Sequence, residues 1–232
     1  MRISNYVCGP LGVNTYIVQD EGTGKAVIID AAELIDEMKN NKKIVPYIDL
    51  PVQHISDKIL KSMNRHGDSA MIKSAISRLR EAMPDIVIRS TAIVGFPGET
   101  EEDFDELCEF VRDIKFERFG VFTFSPEEDT PAEKMPDQVD EQTKQDRLDI
   151  LMAMQLRNSE EYNEKQLGKT VTVLCEGFDA VSEMHFGRSY ADAPEIDGKV
   201  YFRAPKNSVE EGQFVQVKIT EAVDYDLVGD KI

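Results

Sequence analysis

From Ser69 to Met83 the apolar residues Ile72, Ile76, Leu79 and Met83 fall every three or four positions, one face of a helix that Pro84 ends. The next run, DIVIRSTAIVGF (Asp85 to Phe96), is β-branched and apolar almost throughout, as a buried parallel strand should be. Helical spacing returns with Phe104, Leu107, Cys108 and Val111, and Thr100 with Asp103 resembles a capping box at its start. RFGVFTFS (Arg118 to Ser125) reads as the next strand. A long polar helix from about Val139 to Glu164 keeps Leu148, Leu151, Met152 and Gln155 on one side. Upstream, AELIDEMKN is a short helix, VPYIDLP a short strand, and Ser56 caps a helix carrying Ile59, Leu60 and Met63.

This pattern divides the chain into three. Residues 1–31 read as a β-hairpin, with LGVNTYIVQD and KAVIID as strands and turn glycines at Gly22 and Gly24. Residues 32–165 alternate strand and helix, which predicts parallel strands covered by helices: α/β, either part of a barrel or a small open sheet. The strands are too few to close a barrel of eight. Residues 168–232 are punctuated by Gly168, Gly177, Gly187, Gly198, Gly212 and Gly229 between short runs such as TVTVLCE, KVYFRA and QFVQVKITEAV. They predict a small antiparallel barrel.

Composition narrows the function. A net charge of −17, from 44 acidic and 27 basic residues, lacks the basic footprint of a nucleic-acid binder. It favours a basic partner or simply serves solubility. No apolar run approaches the roughly 20 residues that span a bilayer, and no secretory signal opens the chain, so the cytoplasm is the expected compartment. The three cysteines, Cys8, Cys108 and Cys175, are scattered, and Cys108 reads as a buried thiol on its helix face.

Two dense motifs carry the chemistry. DLPVQH (Asp49 to His54) follows a strand, and IRSTAIVGFPGET (Ile88 to Thr100) runs from a strand through a glycine turn into a helix. Gly95 and Gly98 permit close backbone approach to a ligand, or simply a tight turn. With FGVFTFSPEEDTPA, RNSEEYNEKQLGK and GRSYADAPEIDGKVYF (Gly187 to Phe202) in order behind them, these motifs resemble the radical S-adenosylmethionine methylthiotransferases of the RimO type, from about Glu33 to Ile232. The Gly187–Phe202 run resembles the RimO version of the TRAM domain. The resemblance implies the C-terminal half of a radical-SAM, TIM-like barrel followed by an OB-like TRAM barrel.

Members of that family methylthiolate an aspartate of small-subunit ribosomal protein twelve. By the resemblance, a 4Fe-4S cluster on a CxxxCxxC motif cleaves S-adenosylmethionine, the adenosyl radical abstracts hydrogen from the aspartate β-carbon, and an auxiliary cluster serves the methylthio transfer. Carried onto this chain, Ile93 and Gly95 lie along adenine through the backbone and Glu99 begins the helix behind them. Arg89 binds the methionine carboxylate, or makes a salt bridge at the barrel rim. Gln53 and His54 face the same cavity, His54 either as a lining residue or as a structural hydrogen bonder. Ser125 and Glu127 line its mouth. In the TRAM barrel, Arg188, Asp192, Glu195 and Asp197 are the docking candidates, the acidic three being otherwise a solvated loop; Asp197 with Gly198 also reads as a hairpin turn.

The chain departs from the family in its cluster ligands, and in the first barrel strands and the auxiliary-cluster domain, which the resemblance does not extend to. It contains no CxxxCxxC, and thiolates are the usual cluster ligands. No catalysis is therefore expected from this chain alone, and a non-catalytic binding module for a basic ribosomal protein is the alternative. The barrel's seven basic and twelve acidic residues suit such a protein better than tRNA. YVCGPLGVNTYIVQDEGTGKAVIID resembles the opening of metallo-β-lactamase-fold hydrolases at Asn14, Thr15, Tyr16 and Asp30, without their HxHxDH zinc motif. This implies a junction at about Ala31, as a natural fusion or an assembly artefact. Half a barrel should leave an open edge, making residues 32–165 marginal or aggregation-prone while the last 65 fold alone.

Overall fold

The computed structural model describes residues 2–8, 13–19, 26–29, 35–206 and 208–232. The glycine turn at Gly22 and Gly24, Asp30 and the junction at Ala31 lie outside these residues. The chain forms two compact units, Met1–Gln155 and Leu156–Ile232.

The first unit is built on a six-stranded sheet in sequence order. Strands β1 (Arg2–Cys8), β2 (Val13–Gln19) and β3 (Ala26–Ile29) pair antiparallel in succession. The β2–β3 hairpin is the expected one; β1 is an additional strand. Strands β4 (Tyr47–Asp49), β5 (Val87–Val94) and β6 (Arg118–Thr123) are parallel to each other. β3 also pairs parallel to β4, with Ile29 opposite Asp49. The preceding meander covers the β4 edge, while β6 remains an edge strand of this open sheet.

Helices α1 (Ile35–Asn40), α2 (Asp57–Ser62), α3 (Ser69–Ala82), α4 (Glu101–Ile114) and α5 (Glu141–Glu164) connect or follow the strands. Ser56 caps α2, and Thr100 and Asp103 form the complete capping box on α4. Burial alternates along β5: Ile88, Ser90, Ala92 and Val94 are covered, while Arg89, Thr91 and Ile93 are only partly so. The covered side packs with Ile76 and Leu79 of α3, Leu107 and Val111 of α4, and Leu151 of α5 in one core. On the opposite side Phe122, in register with Ile93, is 58% exposed.

The second unit contains a closed barrel in the order β10-β11-β9-β8-β7. These strands are β7 (Thr170–Asp179), β8 (Met184–Arg188), β9 (Val200–Arg203), β10 (Phe214–Val223) and β11 (Asp226–Lys231). The predicted small barrel is present, with a correction to its pairing. Four of the pairs are antiparallel, but β9 and β11 are parallel. Five strands closed in a ring cannot alternate direction all the way round, so one pair must be parallel. Val173, Phe202, Val217 and Ile219 fill the interior.

The Asp197–Gly198 hairpin turn is also corrected. An eleven-residue connection, Ser189 to Lys199, joins β8 to β9, and neither residue takes the positive φ that such a turn needs. A side chain at Gly198 would overlap the Tyr225 carbonyl, so close backbone approach explains this glycine.

Candidate functional site

A cavity of about 740 Å³ lies at the carboxyl ends of β4, β5 and β6, where ligands sit in α/β folds. Ile93, Phe96, Phe122 and Met63 give it apolar walls, and Gln53 and Thr91 supply an amide and a hydroxyl. Gln53 is held in place by a parallel bridge to β5. Its amide donates to the Thr91 carbonyl (2.8 Å) and its carbonyl accepts from the Ile93 amide (2.8 Å). Its φ of 67° is one that a side-chain-bearing residue adopts only when its surroundings impose it.

The glycine turn after β5 is organised by a buried carboxylate. Glu99 Oε2 accepts the amides of Gly95 (2.7 Å) and Phe96 (3.2 Å), and Oε1 accepts Arg147 Nη1 of α5 (2.9 Å). Arg147 Nη2 continues to Glu101 (2.5 Å), and its guanidinium lies over the Phe104 ring. Burial pushes the Glu99 carboxyl above its ordinary pKa, while Arg147 and the two amides pull it back.

His54 is fully buried beside this carboxylate. Its Nδ1 accepts the Ser56 amide (3.0 Å), which puts the proton of the neutral ring on Nε2. Nε2 lies 3.8 Å from Glu99 Oε2, too far for a formed hydrogen bond. Burial holds the imidazole down to about 4, with Asp103 opposing, so the ring is neutral near pH 7. Asp103 pairs with Lys58 and accepts Ser56 Oγ (2.7 Å). Burial raises its pKa, but these donors and Thr100 outweigh burial and hold it well below the usual carboxylate range.

The structure distributes the sequence candidates unevenly. Gln53, Ile93 and Ser125 line the cavity. Gly95 sits behind it, with φ 74°; a side chain there would overlap the Lys144 stem of α5, so the close neighbour of this glycine is Lys144. The amides of Ile93 and Gly95 are already donated, to Gln53 and Glu99, and neither is available to an adenine edge. Arg89 pairs with Asp49 (3.1 Å) near the start of β5 and is not among the cavity-lining residues. Glu127 is exposed and caps its own turn through its carbonyl, which accepts Thr130.

In the barrel, Arg188 lies 2.9 Å from Glu176. Asp192 is buried, and its carboxylate accepts the Ser189 amide and hydroxyl. Asp197 accepts the Ala193 amide (2.8 Å). Of the three acidic candidates, Glu195 alone is exposed, at a φ of 64°.

Sequence reasoning missed Arg147 and Lys144, which are 4% and 2% exposed. Their spacing offers a signal: positions 144, 147, 148, 151 and 155 form one stripe of α5, the side that holds Leu148, Leu151 and Gln155. Thr91, Phe96 and Phe122 were missed as cavity walls because they sit inside strand and turn runs.

The cavity fits one of the two groups that the motifs imply. Its size and apolar walls, with a few polar groups, suit an adenosyl moiety with a short amino-acid tail. An iron–sulfur cluster does not fit the described residues. Among them no three His, Cys, Asp or Glu side chains converge as metal ligands. Cys108 and Cys175 are buried in separate cores, and burial raises both thiols, Cys108 to about 11. Also among the described residues, no helix is long and apolar enough to cross a membrane.

Residues 23–111 match the Radical SAM superfamily, and residues 167–232 match the TRAM domain. The chain is 47% identical over 197 residues to the ribosomal protein uS12 methylthiotransferase RimO of Clostridium botulinum (strain Eklund 17B / Type B). It is 49% identical over 198 residues to that of Thermoanaerobacter sp. (strain X514), and 48% over 200 residues to that of Geobacter sulfurreducens. These alignments cover 85–86% of this chain and 44% of each relative, so the chain spans less than half the length of the curated relatives it matches. Among solved structures, the radical SAM enzyme coproporphyrinogen III oxidase (HemN) from Escherichia coli gives a TM-score of 0.46 at 19% identity, covering 57% of this chain and 31% of that one, a likeness too loose to bear weight. In its two matched families, their order and its identity to these relatives, the chain belongs with the RimO-type radical SAM methylthiotransferases, as a C-terminal-like part carrying a Radical SAM segment and a TRAM domain.

Proposed function

We infer that this chain supplies the adenosyl-binding sheet end and the docking barrel of a methylthiotransferase acting on an aspartate of ribosomal protein uS12. The observation that carries this reading is the identity of 46–49% to relatives bearing that name, over an alignment spanning 85% or more of the chain. In this reading S-adenosylmethionine supplies the methyl and adenosyl groups when bound. Of the cavity-lining residues, Ile93, Phe122 and Phe96 would hold its apolar base, and Gln53 and Thr91 would offer it hydrogen bonds. The TRAM barrel holds uS12, whose basic character complements the chain's net charge of −17. No step is assigned to an iron–sulfur cluster, and the chain alone does not cleave the cofactor.

Calorimetry on the full chain tests this with two ligands, S-adenosylhomocysteine and uS12. Saturable binding of both is expected. Binding of uS12 without the adenosyl ligand would replace this reading by a non-catalytic docking module. Release of 5′-deoxyadenosine after anaerobic reconstitution of this chain with iron, sulfide and reductant would contradict the assignment of no cleavage.

A further inference from the structure

Two strand ends wall the cavity; one buried carboxylate is hydrogen-bonded to one of them and lies close to the residue beyond the other. At the end of β5, Glu99 accepts the Gly95 and Phe96 amides; beyond β4, His54 Nε2 stands 3.8 Å from the same oxygen, Oε2. Phe96 and Gln53, the latter adjacent to His54, line the cavity, but His54, Glu99 and Arg147 do not. The His54 and Glu99 side chains have no exposed surface, and that of Arg147 has 5%. These three residues therefore act on a ligand only through their neighbours.

Such a buried ion pair is a poor source of net stability, because desolvation offsets most of the attraction. What this one does geometrically is specific. It holds the Phe96 amide at the cavity wall, and His54, next in sequence to Gln53, lies beside it. We propose that Arg147, Glu99 and His54 are a positioning set that fixes the spacing between Gln53 and Phe96, and so the width of the cavity for an adenosyl ligand. The proposal rests on the cavity reading given above. Arg147 sets the carboxylate, the carboxylate sets the turn, and the imidazole transmits its position to the other strand end.

The test uses the full chain with Glu99→Gln, Arg147→Ala, Arg147→Lys and the core control Leu107→Ala. Two readouts are taken below every melting transition: the Kd for S-adenosylhomocysteine, and hydrogen exchange of the Gln53 and Ile93 amides. Neither amide bonds to Glu99, so a merely local role would leave both protected. Expected are an affinity loss of about tenfold or more for Glu99→Gln and Arg147→Ala, in line with the sensitivity of ligand geometry to small displacements. Faster exchange at Gln53 and Ile93 should accompany it. Arg147→Lys recovers part of both, whereas Leu107→Ala leaves the Kd unchanged and raises exchange evenly across the whole sheet unit rather than at these two amides in particular. Unchanged exchange at Gln53 and Ile93 in Glu99→Gln, or an equal affinity loss in Leu107→Ala, overturns the positioning set. If the wild type binds no adenosyl ligand, the cavity reading fails, and exchange at the two amides still decides whether the set fixes the strand ends.

Discussion

The open sheet and the closed barrel treat polar groups in opposite ways. In the barrel every strand pairs on both sides, and most of the candidate polar side chains are engaged internally: Asp192 and Asp197 hold their own loop, and Arg188 pairs with Glu176. In the sheet unit one face is sealed by helices while the other keeps Thr91, Ile93 and Phe122 accessible, and charge is buried behind the strand ends to set their shape. A closed ring gains stability by leaving no strand edge. A sheet left uncovered on one side gains a place for a ligand, at the cost of fixing its strand ends by other means.

The largest expected effects break this comparison by region. Phe202→Ala, in the barrel interior, should cost about 3–5 kcal/mol, and Leu107→Ala, under the sheet, about 2–5 kcal/mol. Hydrogen exchange read segment by segment should show each loss confined to its own unit. Spread of either loss across both units would mean that the two do not behave as separate bodies.

Acid should act next, and chiefly on the sheet unit through His54. His54 takes up its proton near pH 6.5 when unfolded and at about 4 when folded. Between these values the unfolded chain holds the extra proton, so stability falls as pH falls, by about 3 kcal/mol in all. Glu99 works the other way: its raised pKa means that ionising it as pH rises costs stability. Urea midpoints measured from pH 7 to 4 should fall in the wild type, and His54→Gln should remove most of that fall, Asp103 and the other carboxylates with depressed pKa leaving a smaller remainder near pH 4.

Gly95→Ala sharpens the account of the turn. A positive φ and the overlap with Lys144 together should cost about 1–3 kcal/mol. Adding Lys144→Ala should recover the overlap part only, because the backbone conformation stays strained. The smallest effect belongs to the barrel surface. Arg203, which pairs with Glu221 and Asp230 in solvent, can become Ala with no measurable change in denaturation midpoint.

Much of the sheet unit could be read from periodicity. The apolar stripes of α3 and α4, the β-branched run of β5 and the Thr100–Asp103 box each name their element locally. Strands β8 and β11 were harder, because Gly187 and Gly229 sit inside them and read as turns; close approach to the neighbouring strands explains both glycines. The cavity walls at Gln53 and Ile93 were legible from the motifs. The Arg147–Glu99–His54 contact was not, because its members come from three distant parts of the chain and meet only in tertiary structure. Arg89 illustrates the limit of motif reading: a guanidinium next to a cavity motif is as easily committed to a carboxylate across the sheet, here Asp49.

The most direct test is a calorimetric titration of S-adenosylhomocysteine into the wild type and into Ile93→Glu, which places a charge on the apolar cavity wall. The account predicts one saturable site in the wild type and its loss in the variant. Absence of binding, or equal binding by both proteins, would contradict the placement of the adenosyl group at the ends of β4, β5 and β6.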